Sequence, residues 1–232
     1  MLNLTYHENG LLAARMKIKK RGFLDHLQMH ACAISVLTVL AAERPEVETF
    51  IANIYADAYD AALKIQYGNL MSVRDNTGRI VAALGFRSAG HGPLFLEQYL
   101  PAPVENILAV PRHQIVEIGN LAASGSGASA FLFAALSAYL HHNGFTHAIV
   151  TGTGSLEKRL HKMGLNPRQH ASADPSRLQD TDTGWGCYYT TQPHVLSGSI
   201  ADGYQRLQKL LGAEYTHIRP RLHLQLKHNG EG

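Results

Sequence analysis

A short glycine-rich turn between a predicted strand and a predicted helix constrains this chain more than any other feature. Residues 114–122 are apolar and β-branched, as in a strand, and apolar residues at helical spacing run from Ala128 to about His142. Between them lies Ser124-Gly125-Ser126-Gly127, which has neither the Lys-Ser/Thr pair of a P-loop nor the full spacing of a dinucleotide-binding loop. Glycines let the backbone approach a ligand, and the free amides and dipole at a helix start favour an anion such as a phosphate. A plain turn is the alternative, because Gly-Ser turns before helices are common.

The order of the other predicted elements limits the fold. Apolar, β-branched runs predict strands at residues 33–40, 69–73, 79–86, 114–122, 146–151 and 185–191. Apolar residues at helical spacing predict helices at about residues 47–61, 128–142, 155–163 and 199–211. A hairpin with the turn sequence Asp-Asn-Thr-Gly therefore precedes an alternation of strands and helices. This order predicts an α/β fold with a mixed β-sheet flanked by helices on both faces, and not a doubly wound dinucleotide-binding sheet.

Several sequence signals mark the ends of these helices. Pro45 suits the first turn of the first helix, and Ser155 is expected to cap the third. Ser199 and Asp202 form a capping-box pattern for the last helix. Residues 88–111 are rich in glycine and proline and predict a loop.

Length and charge indicate one domain and disfavour some partners. A chain of 232 residues supports one buried core and is short for two full domains. We predict an N-terminal arm or short helix at residues 1–32, one domain at residues 33–215 and a basic C-terminal tail at residues 216–232. A net charge of +3 does not argue for nucleic acid, but it is compatible with an acidic partner such as a carrier protein or a phosphorylated cofactor.

The cysteines indicate the cellular compartment. The histidines bear on metal binding, and one apolar run bears on membrane insertion. Cys32 and Cys187 have the spacing of neither a metal site nor a disulfide framework, so we expect a reducing, cytoplasmic location. The 14 histidines show no convincing metal spacing, and no metal is expected. The apolar run at residues 31–42 is too short to span a bilayer and predicts a buried strand, so no stable membrane insertion is expected.

Five segments in order resemble a known family. Residues 50–62 have its Phe-Ile…Tyr…Tyr-x-Ala character, and residues 82–89 read Ala-Ala-Leu-Gly-Phe-Arg-Ser-Ala. The other three are Leu-Phe-Leu-Glu-Gln-Tyr-Leu at 94–100, Ile-Val-Glu-Ile-Gly-Asn-Leu-Ala-Ala at 115–123 and Trp-Gly-Cys-Tyr-Tyr at 185–189. Together they resemble the thermostable hemolysin family over roughly residues 43–200, and that family is similar in fold to the GNAT superfamily and to acyl-homoserine-lactone synthases. The resemblance implies a GNAT-like sheet and an acyl transfer from a thioester.

The resemblance also implies roles for individual residues. Gly125 and Gly127 match the end of the GNAT loop that holds coenzyme A or phosphopantetheine, although Ala122 stands where that motif opens with arginine or glutamine. The expected donor-binding residues are Ala123, Ser124, Gly125, Ser126 and Gly127. Glu117 and Asn120 match the ends of the Glu-x-x-Arg motif of the lactone synthases, with asparagine in place of arginine. Those synthases carry an N-terminal tryptophan, whereas the single tryptophan here is Trp185, so neither a lactone product nor S-adenosylmethionine is expected.

Acyl transfer to an amine needs a held thioester, a base for the ammonium proton and a donor to the thioester carbonyl. Glu117 is the first candidate base and Glu97 the second, each with a salt bridge or a backbone hydrogen bond as the alternative role. Asn120 is a candidate for positioning the substrate. Arg87 and Arg112 could bind an acceptor carboxylate bidentately, or lie on the surface.

The sequence thus predicts an N-acyltransferase that uses an acyl carrier protein or coenzyme A thioester and a small-molecule amine. A membrane-active lytic protein and a non-catalytic GNAT-fold binding module are the alternatives. The acyl length, the identity of the amine, the choice between the two donors and the oligomeric state are left open.

Overall fold

The strands of the described residues form one sheet of ten. The computed structural model describes residues 2–19, 31–125, 127–178 and 184–218. The strands are β1 Leu2–Glu8, β2 Leu11–Ile18, β3 Ala31–Leu37, β4 Asn69–Asp75, β5 Ile80–Ser88, β6 Ile115–Ala123, β7 His147–Gly152, β8 Arg168–Ser172, β9 His194–Ser199 and β10 Ala213–His217. Their order across the sheet is β10-β2-β1-β3-β4-β5-β6-β7-β9-β8. Two neighbouring pairs, β1 with β3 and β6 with β7, are parallel and the others are antiparallel, so the sheet is mixed as predicted.

Helices cover both faces of this sheet. The α-helices of the described residues are α1 Arg44–Tyr59, α2 Val104–Leu108, α3 Ala128–His142, α4 Gly154–Lys162 and α5 Ile200–Leu211. Alternate residues of β5 face two different cores, because successive side chains of a strand point to opposite faces. Ala82 and Leu84 pack in the core that includes α3 and α5, whereas Ala83 packs in the core that includes α1. None of the helices in the described ranges is long and apolar enough to cross a bilayer.

Most predicted elements are present close to their predicted bounds. The helix from Ala128 to His142 has the predicted ends, and Pro45 lies in the first turn of α1. The predicted hairpin is β4 with β5, closed by a turn in which Asp75 accepts hydrogen bonds from Thr77 and from the Arg79 amide. Ser199 caps α5 by accepting a hydrogen bond from the Asp202 amide, as the capping-box pattern predicted.

The prediction of an arm or short helix at the N terminus is wrong for residues 2–18. These residues form β1 and β2, which extend the sheet beside β3. Their buried side chains alternate along the strands at Leu4, Tyr6, Ala14, Met16 and Ile18, a period of two. The domain boundaries at residues 32 and 215 stay a prediction, and residues 219–232 of the predicted basic tail lie outside the described residues.

Three further local predictions are corrected by the structure. The strand predicted at 33–40 is β3, which ends at Leu37, so Val39 and Leu40 beyond it are exposed. Thr153, two residues earlier than expected, caps α4 in place of Ser155. The predicted loop at 88–111 contains short helical segments at Ala89–His91, Phe95–Tyr99 and α2.

The strand predicted at residues 185–191 is a turn followed by a 3₁₀ helix at Tyr188–Thr191. The reason lies at Gly186, whose φ is +51° and whose Cα faces the backbone oxygens of Tyr59 and Asp60 at the end of α1. The Cys187 amide also donates to the Tyr59 carbonyl at 2.7 Å, which ties the turn to α1. This backbone conformation is incompatible with a strand.

We predict that Gly186→Ala lowers the free energy of unfolding by about 2–4 kcal/mol, because a Cβ there would strain the left-handed backbone and also collide with the end of α1. Gly78→Ala is the matched control, since Gly78 also has positive φ but open space around its Cα. It should cost about 1–2 kcal/mol from strain alone. Urea unfolding of both variants checks the prediction, and equal losses would contradict the packing of the turn against α1.

Candidate active site at the gap between two strands

The neighbouring parallel strands β6 and β7, which lie toward the β8 side of the sheet, part along their length. The pairing of β6 with β7 covers Ile115–Ile118 and His147–Val150. Beyond Ile118, β6 continues to Ala123 and pairs with β5 alone, while β7 pairs with β9. Within the described strands, residues 119–123 of β6 therefore present an unpaired backbone edge toward β7.

A β-bulge lies at the point where the strands part. Gly119 pairs with Gly85 and Ala122 pairs with Ala83, so Asn120 and Leu121 of β6 lie opposite one residue of β5. Asn120 has a φ of +50°, a left-handed conformation that asparagine tolerates better than most residues, and it is 8% exposed. Bulges bend a strand and redirect its side chains, and they are frequent beside active sites.

A large aliphatic cavity of about 570 Å³ lies on the α3 and α5 face of this opening. Its walls come from α3, α4, α5, β6, β7 and β9. The apolar side chains that line it include Leu121, Phe133, Leu136, Leu156, Leu160 and Leu207. This apolar part of the lining suits an apolar chain.

A smaller pocket of about 140 Å³ lies on the α1 face. Aromatic rings form much of its wall: Tyr55, Tyr67, Phe95, Tyr99, Trp185, Tyr188 and Tyr189. Ile118, the last residue of β6 that pairs with β7, lines both this pocket and the large cavity. The two cavities therefore approach each other where the strands part.

The turn that contains Trp185 forms part of the wall of the aromatic pocket. Trp185 packs on Phe95 and Tyr188, with ring centroids 5.6 and 5.4 Å apart. The hydroxyls of Tyr99 and Tyr189 lie 2.6 Å apart and share a hydrogen bond. These contacts fix the aromatic walls against one another.

Glu117 and Arg87 form a buried ion pair beside this pocket. Arg87 Nε donates to Glu117 Oε2 at 2.6 Å, and the amides of Phe95 and Leu96 donate to the same carboxylate at 3.2 and 2.9 Å. Glu117 is 1% exposed, and this burial raises its pKa against the opposing effect of Arg87 and the two amides. Arg87 lines the aromatic pocket, whereas Glu117 lies behind it and holds the arginine in place.

Glu97 and Arg112, both predicted as site residues, form an ion pair that joins the 88–111 segment to the residue after it, and they line neither cavity. Arg112 donates to both oxygens of Glu97 at 2.7 and 3.0 Å, to Glu105 at 2.6 Å, and to the carbonyls of Ala89 and Gly92. The amides of Leu94 and Val104 also donate to Glu97. Salt bridges and backbone hydrogen bonds occupy both side chains, which matches the alternative weighed for Glu97, whereas the alternative for Arg112 was a place on the surface.

The predicted donor-binding turn lies at the far end of β6. Ser124 remains tied to β5 through hydrogen bonds to the Val81 carbonyl, and Gly127, with φ of +106°, directs the chain into α3. A side chain at Gly125 would meet open space. Ser126 lies outside the described residues, so its predicted role stays a prediction.

Arg159 of α4 adds a positive charge at this end of α3. Its Nη1 donates to the Ser129 hydroxyl, in the first turn of α3, at 3.1 Å. Sequence reasoning missed Arg159, because no local pattern links residue 159 to a turn 30 residues earlier. It also missed the aromatic residues of the pocket, Trp185 included, because only the fold brings them together.

Of the predicted site residues, the structure brings Arg87 and Asn120 to the aromatic pocket, with Glu117 directly behind Arg87. Ala123, Ser124, Gly125 and Gly127 follow along β6 to the start of α3. No group of three or more histidine, cysteine, aspartate or glutamate side chains that could hold a metal ion occurs in the described ranges.

Comparison with known proteins identifies a family and a fold. The model of the family described as thermostable hemolysin matches residues 37–204, which is most of the chain. No curated protein matches the chain in sequence.

Solved structures with a similar fold include TofI and two synthases. TofI in its apo form is 16% identical, with a TM-score of 0.55 over 75% of this chain and 95% of that one. BjaI, a CoA-dependent acyl-homoserine lactone synthase with SAM and isopentyl-CoA, is 11% identical, with a TM-score of 0.53 over 77% and 89%. FeeM, an N-acyl amino acid synthase from uncultured soil microbes, is 11% identical, with a TM-score of 0.51 over 76% and 96%. At these identities the shared property is the fold, which is GNAT-like as predicted.

We predict that Glu97→Gln destabilises the protein in a pH-dependent way. Partial burial acts to raise the pKa of Glu97, but hydrogen bonds from Arg112 and from the Leu94 and Val104 amides outweigh it and lower the pKa to about 2. Because the folded pKa lies below the unfolded one, the stabilisation is present above about pH 5 and is lost as the pH falls toward 2. The variant should be less stable than wild type by about 1–3 kcal/mol at pH 7, and the difference should shrink by pH 3.

Denaturant unfolding at both pH values measures this difference. Glu214→Gln is the control, because Glu214 forms an exposed pair with Lys19 and such pairs contribute little. A Glu97→Gln deficit that stays constant from pH 7 to pH 3 would contradict the ionised, structural role of Glu97.

Proposed function

We propose that this protein, which belongs to the thermostable hemolysin family, is an N-acyltransferase that moves an acyl group from a coenzyme A or carrier-protein thioester to an amine. The observation that carries the proposal is the approach of an aliphatic cavity and an aromatic pocket to each other at Ile118. One cavity suits an acyl chain and the other an acceptor, and the sheet opens between them. The GNAT-like fold, shared with a lactone synthase and an N-acyl amino acid synthase, supports the same class of reaction.

The donor is proposed to bind from the start of α3 to the gap. The first-turn amides and the dipole of α3 favour a phosphate, and Arg159 adds positive charge. A phosphopantetheine arm that follows the unpaired edge of residues 119–123 would bring its thioester to the gap beside Ile118. The acyl chain would then occupy the cavity of about 570 Å³, within the usual range of ligand pockets of about 300–1,000 Å³.

The acceptor is proposed to bind in the aromatic pocket and to attack across the gap. A bond forms between the amine nitrogen and the thioester carbonyl carbon, and the bond from that carbon to sulfur breaks. The nitrogen gives up one proton and the departing thiolate takes up one, so the products are an amide and a free thiol. Backbone N–H groups on the unpaired edge of β6 are candidates to stabilise the carbonyl oxygen as it gains charge.

Arg87 supports an acceptor that carries a carboxylate, such as an amino acid. It uses Nε for Glu117, and its two terminal nitrogens make no hydrogen bond to another described residue. A planar guanidinium held in this way matches a carboxylate. Asn120 lines the same pocket and could orient the acceptor.

Glu117 is proposed to position Arg87 in place of the general-base role expected from the sequence. Its two oxygens already accept hydrogen bonds from Arg87, Phe95 and Leu96. No aspartate, glutamate or histidine side chain lines the aromatic pocket in the described part of the chain. We propose that the amine loses its ammonium proton to water before the attack and its second proton as the amide forms.

An exposed amphipathic helix would favour the alternative of a membrane-active lytic protein. The apolar face of α3 is buried instead, since Phe131, Leu132 and Leu136 are at most 2% exposed. The two thiols, Cys32 and Cys187, are free, which is compatible with the cytoplasmic location that we propose.

We predict that the purified protein releases free thiol when it is given an acyl thioester and an amino acid, with formation of the N-acyl product. A panel of acyl-CoA and acyl-carrier thioesters of different chain lengths, followed by thiol detection and mass spectrometry, measures both products. Gly125→Glu should raise the KM for the donor by about tenfold or more, because a carboxylate would lie where the phosphate is expected, while the fold is retained.

Dye-filled vesicles serve as the parallel assay for lytic action. Vesicle leakage at micromolar protein without thiol release from any donor and amine would overturn the acyltransferase in favour of the lytic protein. Donor binding without transfer would overturn it in favour of the binding module.

A further inference from the structure

The tyrosine ring of Tyr67 lies in a slot made by two glycines. Gly85 of β5 and Gly119 of β6 are directly opposite each other in the sheet. A Cβ at Gly85 would collide with the Cβ end of the Tyr67 ring, and a Cβ at Gly119 would collide with its hydroxyl end. The ring therefore lies flat across both strands. A larger residue at either glycine would leave no room for the ring there.

This slot brings the Tyr67 hydroxyl to the point where the sheet opens. The hydroxyl lies over Gly119, the first residue of β6 beyond the pairing with β7, and next to the bulge at Asn120. Tyr67 lines the aromatic pocket, and its hydroxyl makes no hydrogen bond to another residue of the described ranges. A polar group fixed in this way, without a hydrogen-bond partner among the described residues, is available to a ligand.

Neighbouring charges and burial keep this hydroxyl protonated. Burial and the nearby carboxylate of Glu117 raise the pKa of Tyr67 well above its ordinary value, with Arg87 opposing them. The Arg87 guanidinium carbon lies 5.5 Å from the centre of the Tyr67 ring, within the range of a cation–π contact. The ring thus contacts both the sheet and a cation. The phenol is thus a hydrogen-bond donor at neutral pH.

We propose that Tyr67 is a catalytic residue whose hydroxyl donates a hydrogen bond to the thioester carbonyl oxygen as the amine attacks; this inference rests on the proposed function. The carbonyl oxygen becomes negative when the nitrogen–carbon bond forms and returns to a carbonyl when the carbon–sulfur bond breaks. Tyr67 keeps its proton throughout, so the balance of the reaction is unchanged. A donor already fixed where charge develops needs no reorganisation during the reaction, and loss of one such donor costs about a hundredfold to a thousandfold in kcat.

Tyr67→Phe tests this role, because phenylalanine keeps the ring in the slot and removes only the hydroxyl. We expect kcat to fall by about a hundredfold or more, with the KM for the donor and the melting temperature nearly unchanged. Tyr139→Phe is the matched control, since Tyr139 is also half-buried. Its hydroxyl donates a hydrogen bond to Glu8 Oε1 at 3.0 Å, away from the gap. The control should keep wild-type kcat.

The choice of leaving group separates this role from protonation of the departing sulfur. A donor to the carbonyl oxygen should give the same loss of kcat with an alkyl thioester and with an aryl thioester, whose thiolate leaves more readily. A loss that disappears with the aryl thioester would assign the Tyr67 proton to the departing sulfur and overturn the proposal. Full activity of Tyr67→Phe would show a packing role only, which also overturns it while the acyltransferase stands. An inactive wild type in all assays would overturn the proposed function itself.

Discussion

The parting of β6 from β7 is the constraint on which the rest of the site depends. Two parallel strands that remained paired to their ends would close the sheet between the aliphatic cavity and the aromatic pocket. The bulge at Asn120 bends β6, and pairing with β7 stops at Ile118. β5 continues to pair with β6 as far as Ala123. Only the edge of β6 that faces β7 is therefore unpaired, and β6 remains part of the sheet. The backbone groups freed along this edge are polar, which favours a polar ligand beside them.

Two carboxylates, the buried Glu117 and the partly buried Glu97, join separate segments near the gap. Glu117 joins β6 to the backbone of Phe95 and Leu96 and to Arg87, so one side chain fixes both a pocket wall and a cation. Glu97 does the same for the 88–111 segment through Arg112. Removing one partner of a buried pair leaves the other unsatisfied, which makes such pairs costly to disturb and suits them to positioning. Both glutamates predicted as bases are thus held in ion pairs, and we propose that Glu117 positions Arg87 and that Glu97 stabilises the 88–111 segment.

Local patterns in the sequence were sufficient for elements whose own periodicity decides their structure. The α3 helix and the β4–β5 hairpin fall in this group, and so does the glycine-rich turn before α3. The turn at residues 184–187 was mistaken for a strand because aromatic residues favour strands, whereas contacts between Gly186 and the end of α1 decide its conformation. Of the residues predicted for the site, Arg87 and Asn120 line the aromatic pocket, and the role of the start of α3 stays a prediction. Tyr67 and Arg159 could not be found in this way, because each reaches the site only through strands or helices distant in the chain.

A crystal structure with a thioether analogue of an acyl-coenzyme A, in which sulfur cannot leave, tests the central claim most directly. The sulfur should lie in the gap between β6 and β7 beside Gly119, with the phosphates at the start of α3. The acyl chain should lie in the aliphatic cavity on the α3 face, and the aromatic pocket should remain free for an acceptor. An analogue bound with its acyl chain in the aromatic pocket, or bound away from a gap that is closed, would contradict it.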